Sequence, residues 1–300
     1  MRLLITGLGG FVGQHLKSRL EMRFPDCEIL PGIPDIRDAR AVNDSIADGR
    51  PECCIHLAAI STIGKARQSP DDTWAVNLQG TLNLARAMLQ HVPDGTFLFA
   101  STAEAYGTTF QRNTPLDENA VLSPANTYAA TKAAADLALG AMARDGLRTI
   151  RMRPFNHTGP GQSPDFVVPA FASQIARIAK GQQKPQIHVG NLDAERDFLD
   201  VRDVCDAYLD VVEHRLSLQP GAIFNVCSGQ TRSIRSILDN LLRLSGVQAE
   251  ITIDPARLRP SDIPVAAGDA SRFRTALGWT PRISWNQTLN DIYEDRLKSV

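Results

Sequence analysis

The run Arg2-Leu3-Leu4-Ile5-Thr6 leads straight into Gly7-Leu8-Gly9-Gly10-Phe11-Val12-Gly13, after which Val12, Leu16 and Leu20 recur with helical spacing. A buried strand, a glycine-rich turn and a helix in immediate succession leave few folds open. They read as the first half of a βαβ unit, whose glycines let the backbone approach a pyrophosphate seated on the helix N-terminus. The spacing is Gly7-x-x-Gly10-x-x-Gly13 rather than G-x-G-x-x-G. The flanking strand and helix therefore carry the dinucleotide reading, against the plainer one of a tight structural turn.

The rest of the first half keeps this rhythm. Strands are expected at 27–30, 52–57, 96–100 and 147–152, and helices at 38–49, 72–90 and from 126. Such alternation predicts an α/β fold with a doubly wound parallel sheet of Rossmann type. The second strand ends in Pro31-Gly32-Ile33-Pro34, with neither an acid nor an arginine for the adenosine ribose, so NADH and NADPH both stay open. Asp35 and Ile36 are placed beside the adenine instead. Leu57, Ala58 and Ala59 follow the third strand, where small residues would let a cofactor lie against the backbone.

Chemistry is concentrated in two segments. Thr102 and Glu104 sit just past the fourth strand, at the end where open α/β sheets place ligands. Tyr128 and Lys132 are four residues apart at the start of a predicted helix, hence on one face. An unperturbed phenol titrates near ~10, and an adjacent ammonium is expected to lower that value. The plain alternatives are turn residues for the first pair and a coincidence of spacing for the second.

After Arg153-Pro154 the rhythm changes. The stretch 155–162 is rich in turn residues and is not expected to be a regular element. Helix and strand signals at 166–179 and 186–189 follow, and 196–227 reads as a return to the main sheet. The predicted organisation is a cofactor-binding domain at 1–155 with that return segment, plus a smaller discontinuous substrate domain at 156–195 and 228–300. With 32 Lys and Arg against 33 Asp and Glu, the chain gives no reason to expect a nucleic acid or an anionic membrane as partner. No apolar stretch approaches the roughly 20 residues that span a bilayer, and the N-terminal apolar run is too short for a signal peptide. Five cysteines at irregular spacings suit neither a disulfide framework nor a metal site, so a reduced, cytoplasmic protein is expected.

The glycine turn, Ser101-Thr102-Ala103-Glu104, Tyr128-x-x-x-Lys132 and Arg153-Pro154-Phe155-Asn156, in this order, resemble the extended short-chain dehydrogenase/reductases, enzymes of nucleotide-sugar metabolism. The resemblance covers essentially the whole chain. Val189-Gly190-Asn191-Leu192-Asp193, Arg196-Asp197-Phe198 and Leu258-Arg259-Pro260-Ser261-Asp262 narrow it to members that use NADPH or NADH to reduce the C4 ketone of GDP-4-keto-6-deoxy-D-mannose, giving GDP-D-rhamnose. It implies that Gly7, Gly10, Phe11, Val12 and Gly13 face the cofactor pyrophosphate. Tyr128 then donates a proton to O4, Lys132 holds the nicotinamide ribose, and Thr102 hydrogen-bonds the same substrate oxygen. Asn156, Arg196 and Arg259 bind the diphosphate of the GDP-sugar, and Asp262 accepts from the guanosine ribose. Without the resemblance, Arg196 beside Asp197 and Arg259 near Asp262 read equally well as surface ion pairs. The resemblance also implies a homodimer packed through the helices near 72–90 and 126–145. Glu104 keeps a 4,6-dehydratase as the alternative, because a Thr-x-Glu pair performs that chemistry. A cofactor-binding scaffold without turnover is the remaining one.

Overall fold

The computed structural model describes residues 1–257 and 263–300. In chain order the first lobe comprises β1 (Arg2–Thr6), α1 (Phe11–Arg23), β2 (Glu28–Ile29), α2 (Ala39–Gly49), β3 (Cys53–His56), α3 (Ile63–Gln68) and α4 (Pro70–Trp74). A π-helical segment, Ala75–Gly80, joins α4 to α5 (Thr81–His91); β4 (Thr96–Ala100), a 3₁₀ segment Ala103–Arg112, α6 (Thr127–Met142) and β5 (Thr149–Pro154) follow. The remainder holds β6 (Asn156–Thr158), α7 (Val167–Ala179), β7 (Gln186–Val189), β8 (Glu195–Asp200), α8 (Val201–His214), β9 (Ile223–Val226) and β10 (Thr231–Ser233). It closes with α9 (Ile234–Ser245), β11 (Glu250–Ile253), β12 (Val265–Ala266), α10 (Ser271–Leu277) and α11 (Trp285–Ser299).

Six parallel strands form the main sheet in the order β2-β1-β3-β4-β5-β9. Its central strands are buried on both faces, as their near-continuous apolar runs require. One face packs against α1 and α8 through Leu16, Leu20, Val204 and Tyr208, the other against α2, α5 and α6 through Val42, Ile46, Leu84 and Leu139. The strand order reverses between β1 and β3. Their C-terminal ends, Thr6 and His56, therefore flank the crevice where doubly wound sheets bind ligands.

A second core, with Phe171, Ile187, Phe198, Leu238 and Leu289, lies between α7, α9 and α11 and two small sheets. In one sheet β8 is the hub, pairing with β6, β10 and β12; in the other β7 pairs with β11. Two expectations are corrected here. Asn156–Thr158, within the stretch read as irregular, is a strand, because its three residues pair in register with Phe198–Asp200. Only α8 and β9 of the supposed return segment reach the main sheet; β8 belongs to the small one. No described helix is long and apolar enough to cross a membrane.

Candidate active site

The glycine turn is shaped by contacts that exclude any side chain at two positions. Gly7 has φ +76°, and a Cβ there would lie 2.7 Å from the Ala58 nitrogen; at Gly13 it would lie 2.5 Å from the carbonyl oxygens of Gly7 and Leu8. Gly10 donates its N–H to the Gly7 carbonyl at 3.0 Å and caps α1 without a side chain. The first-turn N–H groups of α1 therefore stay uncovered, an arrangement suited to phosphate. The Phe11 ring turns away from this turn, stacking on His157 at 6.5 Å and meeting His15 edge-on at 5.3 Å, and Val12 packs on the core. What these two residues offer a pyrophosphate is backbone.

Beyond β2, Ile36 is 6% exposed and fills the space beneath Gly80, while Asp35 stays at the rim. Its carboxylate accepts from Arg37 Nε at 3.0 Å and Nη2 at 2.8 Å, which holds the acid below its ordinary pKa. Arg37 also reaches Asp72 at 3.2 Å. It is a rim cation that the strand-end reading overlooked, since it lies in the next turn rather than at the strand end.

Leu57 and Ala58 leave β3 bonded to Thr6, by N–H donation to its carbonyl at 3.1 Å and to its hydroxyl at 3.3 Å; Ala59 follows in the same exit. A polar chain runs beneath them. The Thr6 hydroxyl and His56 Nδ1 are 2.6 Å apart, His56 Nε2 and the Thr81 hydroxyl 2.8 Å, and Thr81 donates to the Asn77 carbonyl at 2.7 Å. Because Thr81 spends its proton on Asn77, His56 must donate from Nε2 and accept at Nδ1 from Thr6. Asn77 clamps the Ile60 backbone with both ends of its amide and also donates to Thr131, whose hydroxyl bonds the Tyr128 carbonyl. The crevice floor and the first turn of α6 are thus tied through one neutral imidazole. Asn77 and His56 were missed at the level of sequence. The available signal was a set of polar residues, Asn77 and Thr81, on the buried face of an otherwise apolar helix.

Thr102, Glu104 and Tyr128 converge. The Thr102 hydroxyl accepts from the Glu104 N–H at 3.2 Å and lies near enough to the Tyr128 phenol to bear on its titration. Burial pushes that phenol up to about 12; Thr102 opposes the shift and the Glu104 charge adds to it. The expectation that Lys132 would lower Tyr128 is therefore overturned. Lys132 is 2% exposed, and its Nζ lies 4.1 Å over the Phe99 ring rather than beside the phenol. Burial brings its own pKa down to about 7, opposed only by Asp136. Among the described residues this ammonium donates no hydrogen bond, so its N–H groups are available to acceptors such as ribose hydroxyls. With the glycine cradle, the residues fit a dinucleotide.

The helix carrying Tyr128 is anchored from below. Asp136 accepts from Arg153 Nε and Nη2, each at 2.9 Å, from Arg151 at 3.1 Å and from Ser101 at 2.7 Å. Burial alone would raise this carboxyl, but the guanidiniums hold it low. Arg153 also donates to the Tyr106 hydroxyl at 3.1 Å. Asn156 and Arg196 sit on neighbouring strands β6 and β8, where Arg196 donates to the Glu195 carbonyl at 2.8 Å. Arg259 and Asp262 lie outside the described residues.

The family model for GDP-mannose 4,6-dehydratase matches residues 33–292. The chain is 40% identical to GDP-6-deoxy-D-mannose reductase of Pseudomonas aeruginosa over 98% of its own length and 96% of the relative's. It is 29% identical to GDP-6-deoxy-D-talose 4-dehydrogenase of Aggregatibacter actinomycetemcomitans, over 99% and 98%. Among solved structures it superposes with TM-score 0.90 and 37% identity on RMD from Pseudomonas aeruginosa complexed with NADPH, covering 100% of this chain and 99% of that one.

Proposed function

This chain belongs to the GDP-mannose 4,6-dehydratase family of extended short-chain dehydrogenase/reductases, and on that premise we propose that it uses NADPH or NADH to reduce the C4 ketone of GDP-4-keto-6-deoxy-D-mannose to GDP-D-rhamnose. The observation that carries this reading is the 40% identity, over 98% of the chain, to GDP-6-deoxy-D-mannose reductase, and the Tyr128 phenol near Thr102 supplies the acid such a reaction needs. A phenol kept protonated at neutral pH is an acid, and reduction of a ketone requires one at the carbonyl oxygen.

In this reading the uncovered N–H groups of the glycine turn and of α1 hold the cofactor pyrophosphate, Asp35 borders the adenine, and Leu57, Ala58 and Ala59 floor the crevice. Lys132 donates to the nicotinamide ribose, which gives its buried ammonium the acceptors it otherwise lacks. The bound cofactor supplies hydride to C4. Tyr128 gives its proton to O4 while Thr102 donates to the same oxygen; a donor aimed at a developing alkoxide is worth about 3 kcal/mol or more. Asn156, Arg196, Arg259 and Asp262 hold the GDP portion. The protein acts in the cytoplasm as a homodimer.

The dehydratase is the second reading. It is favoured by the name of the family model and by Glu104, which lies close enough to raise Tyr128. One experiment separates the two. Incubating the protein with GDP-4-keto-6-deoxy-D-mannose and NADPH, or NADH in parallel, should oxidise the cofactor stoichiometrically, and NMR of the product should show the rhamno configuration. Tyr128→Phe should cut turnover at least about 100-fold. Conversion of GDP-mannose with no net cofactor use would assign the dehydratase instead, and the C4 epimer would correct the product.

A further inference from the structure

Asp136 is 0% exposed and lies on α6 one turn past Lys132 and two past Tyr128. Its Oδ1 accepts from Arg153 Nη2 at 2.9 Å and Arg151 Nη1 at 3.1 Å, its Oδ2 from Ser101 Oγ at 2.7 Å and Arg153 Nε at 2.9 Å. The helix makes room for this cluster. A Cβ on Gly140, one turn further along, would fall 2.6 Å from Arg151 Nη1. Glycine inside a helix is unfavourable relative to alanine, so α6 gives up stability to seat that guanidinium.

The donors come from segments that carry the site. Ser101 immediately precedes Thr102, and its backbone N–H is fixed on the Met152 carbonyl of β5 at 2.7 Å. Arg153 lies on β5, three residues before Asn156. Asp136 itself rides on the helix of Tyr128 and Lys132. One carboxylate therefore joins the Thr102 exit, the Tyr128 helix and the strand that leads to Asn156. Both its oxygens are filled, so it acts on Lys132 through space rather than by a bond. The other ionisable groups that are not fully exposed around this stretch of α6 are His56 on β3, Arg151 and Arg153 on β5, and Glu104 and Tyr106 on the 3₁₀ segment. Among the described residues, Asp136 alone favours the Lys132 ammonium against burial.

We propose that Asp136 is a positioning residue for the ketone reduction, setting the Thr102 hydroxyl against the Tyr128 phenol through Ser101 and α6, and placing Lys132 for the cofactor. This rests on the proposed function in taking those three as the groups that meet O4 and the nicotinamide ribose. The same carboxylate keeps Lys132 in its donor-rich charged form.

Steady-state kinetics with GDP-4-keto-6-deoxy-D-mannose and NADPH, and NADPH binding followed by nicotinamide fluorescence from about pH 6 to 9, test it on the full chain. Ser101→Ala leaves both guanidiniums on the carboxylate and should fold. Its kcat should fall about 10-fold or more, as for a small misplacement of reacting groups, with NADPH affinity and substrate KM within about twofold of wild type. Wild-type NADPH affinity should fall as pH rises through about 7, where Lys132 loses its proton in the free protein. Asp136→Asn removes the anion that favours the ammonium, so the same fall should appear about one pH unit lower or more. Turnover of Ser101→Ala within about twofold of wild type, or kcat and both affinities falling together, would overturn the proposal. So would an unmoved pH profile in a folded Asp136→Asn; if that variant does not fold, Ser101→Ala decides alone. Wild type that does not reduce the ketone would remove the proposed function instead, and the pH profile of NADPH binding would still decide for or against Asp136.

Discussion

Lys132 shows how far residue identity and spacing carry. The i,i+4 relation to Tyr128 is real, but it places Cβ atoms and says nothing of where a four-carbon stem sends its ammonium. Here it goes over Phe99, and both groups are shifted by burial rather than by each other. The protein keeps a buried, unbonded ammonium at a cost to stability, which predicts a trade-off. Lys132→Met, similar in length and apolar, should stabilise the cofactor-free protein by about 1–3 kcal/mol at pH 7 while lowering cofactor affinity at least about 100-fold. The pH dependence has a definite sign. Between about 7, the folded value, and 10.5, the ordinary one, the unfolded state binds more protons at this lysine. Its contribution therefore rises with pH across that window, and the gap between variant and wild type should narrow from pH 7 to pH 9. Urea unfolding at both values reads it; a wild type as stable as the variant at pH 7 would contradict this account.

At the scale of elements, glycine turn, strands and helices were legible because each has a period or a breaker. The 3₁₀ segment 103–112 and the π segment 75–80 were not. Both are departures from regular hydrogen bonding that tertiary contacts hold in place: Asn77 and Thr81 by the bonds to Ile60 and His56, the 3₁₀ segment by a kink at Gly107. That kink has φ +49°, and a Cβ there would fall 1.9 Å from the Ser123 carbonyl. Gly107→Ala should cost about 2 kcal/mol or more and displace Thr102 and Glu104, lowering turnover. Gly9→Ala, with nothing within 4 Å of the added atom, should change stability by less than about 0.5 kcal/mol. Denaturant titration of the pair decides it, and equal losses would refute the steric argument.

For the whole molecule, the two cores meet at β8, which leaves the small sheet and runs directly into α8 on the large one. The proposed dimer uses the outer sides of α4, α5 and α6, where Trp74 is 40% and Leu137 61% exposed. Sedimentation velocity at micromolar concentration should give a dimer, and Leu137→Glu should shift it to monomer; a monomeric wild type would exclude this interface. The sequence by itself determined the parallel sheet and its glycine turn, because periodicity and breakers act locally, and it named Thr102, Glu104, Tyr128 and Lys132 as candidates. Only the tertiary structure decided the neutral His56 link, the upward shift of the Tyr128 phenol, the placement of the Lys132 ammonium over Phe99 and the Arg196–Arg232 register. Burial and cross-strand register depend on which distant segments come together, and no local pattern records that.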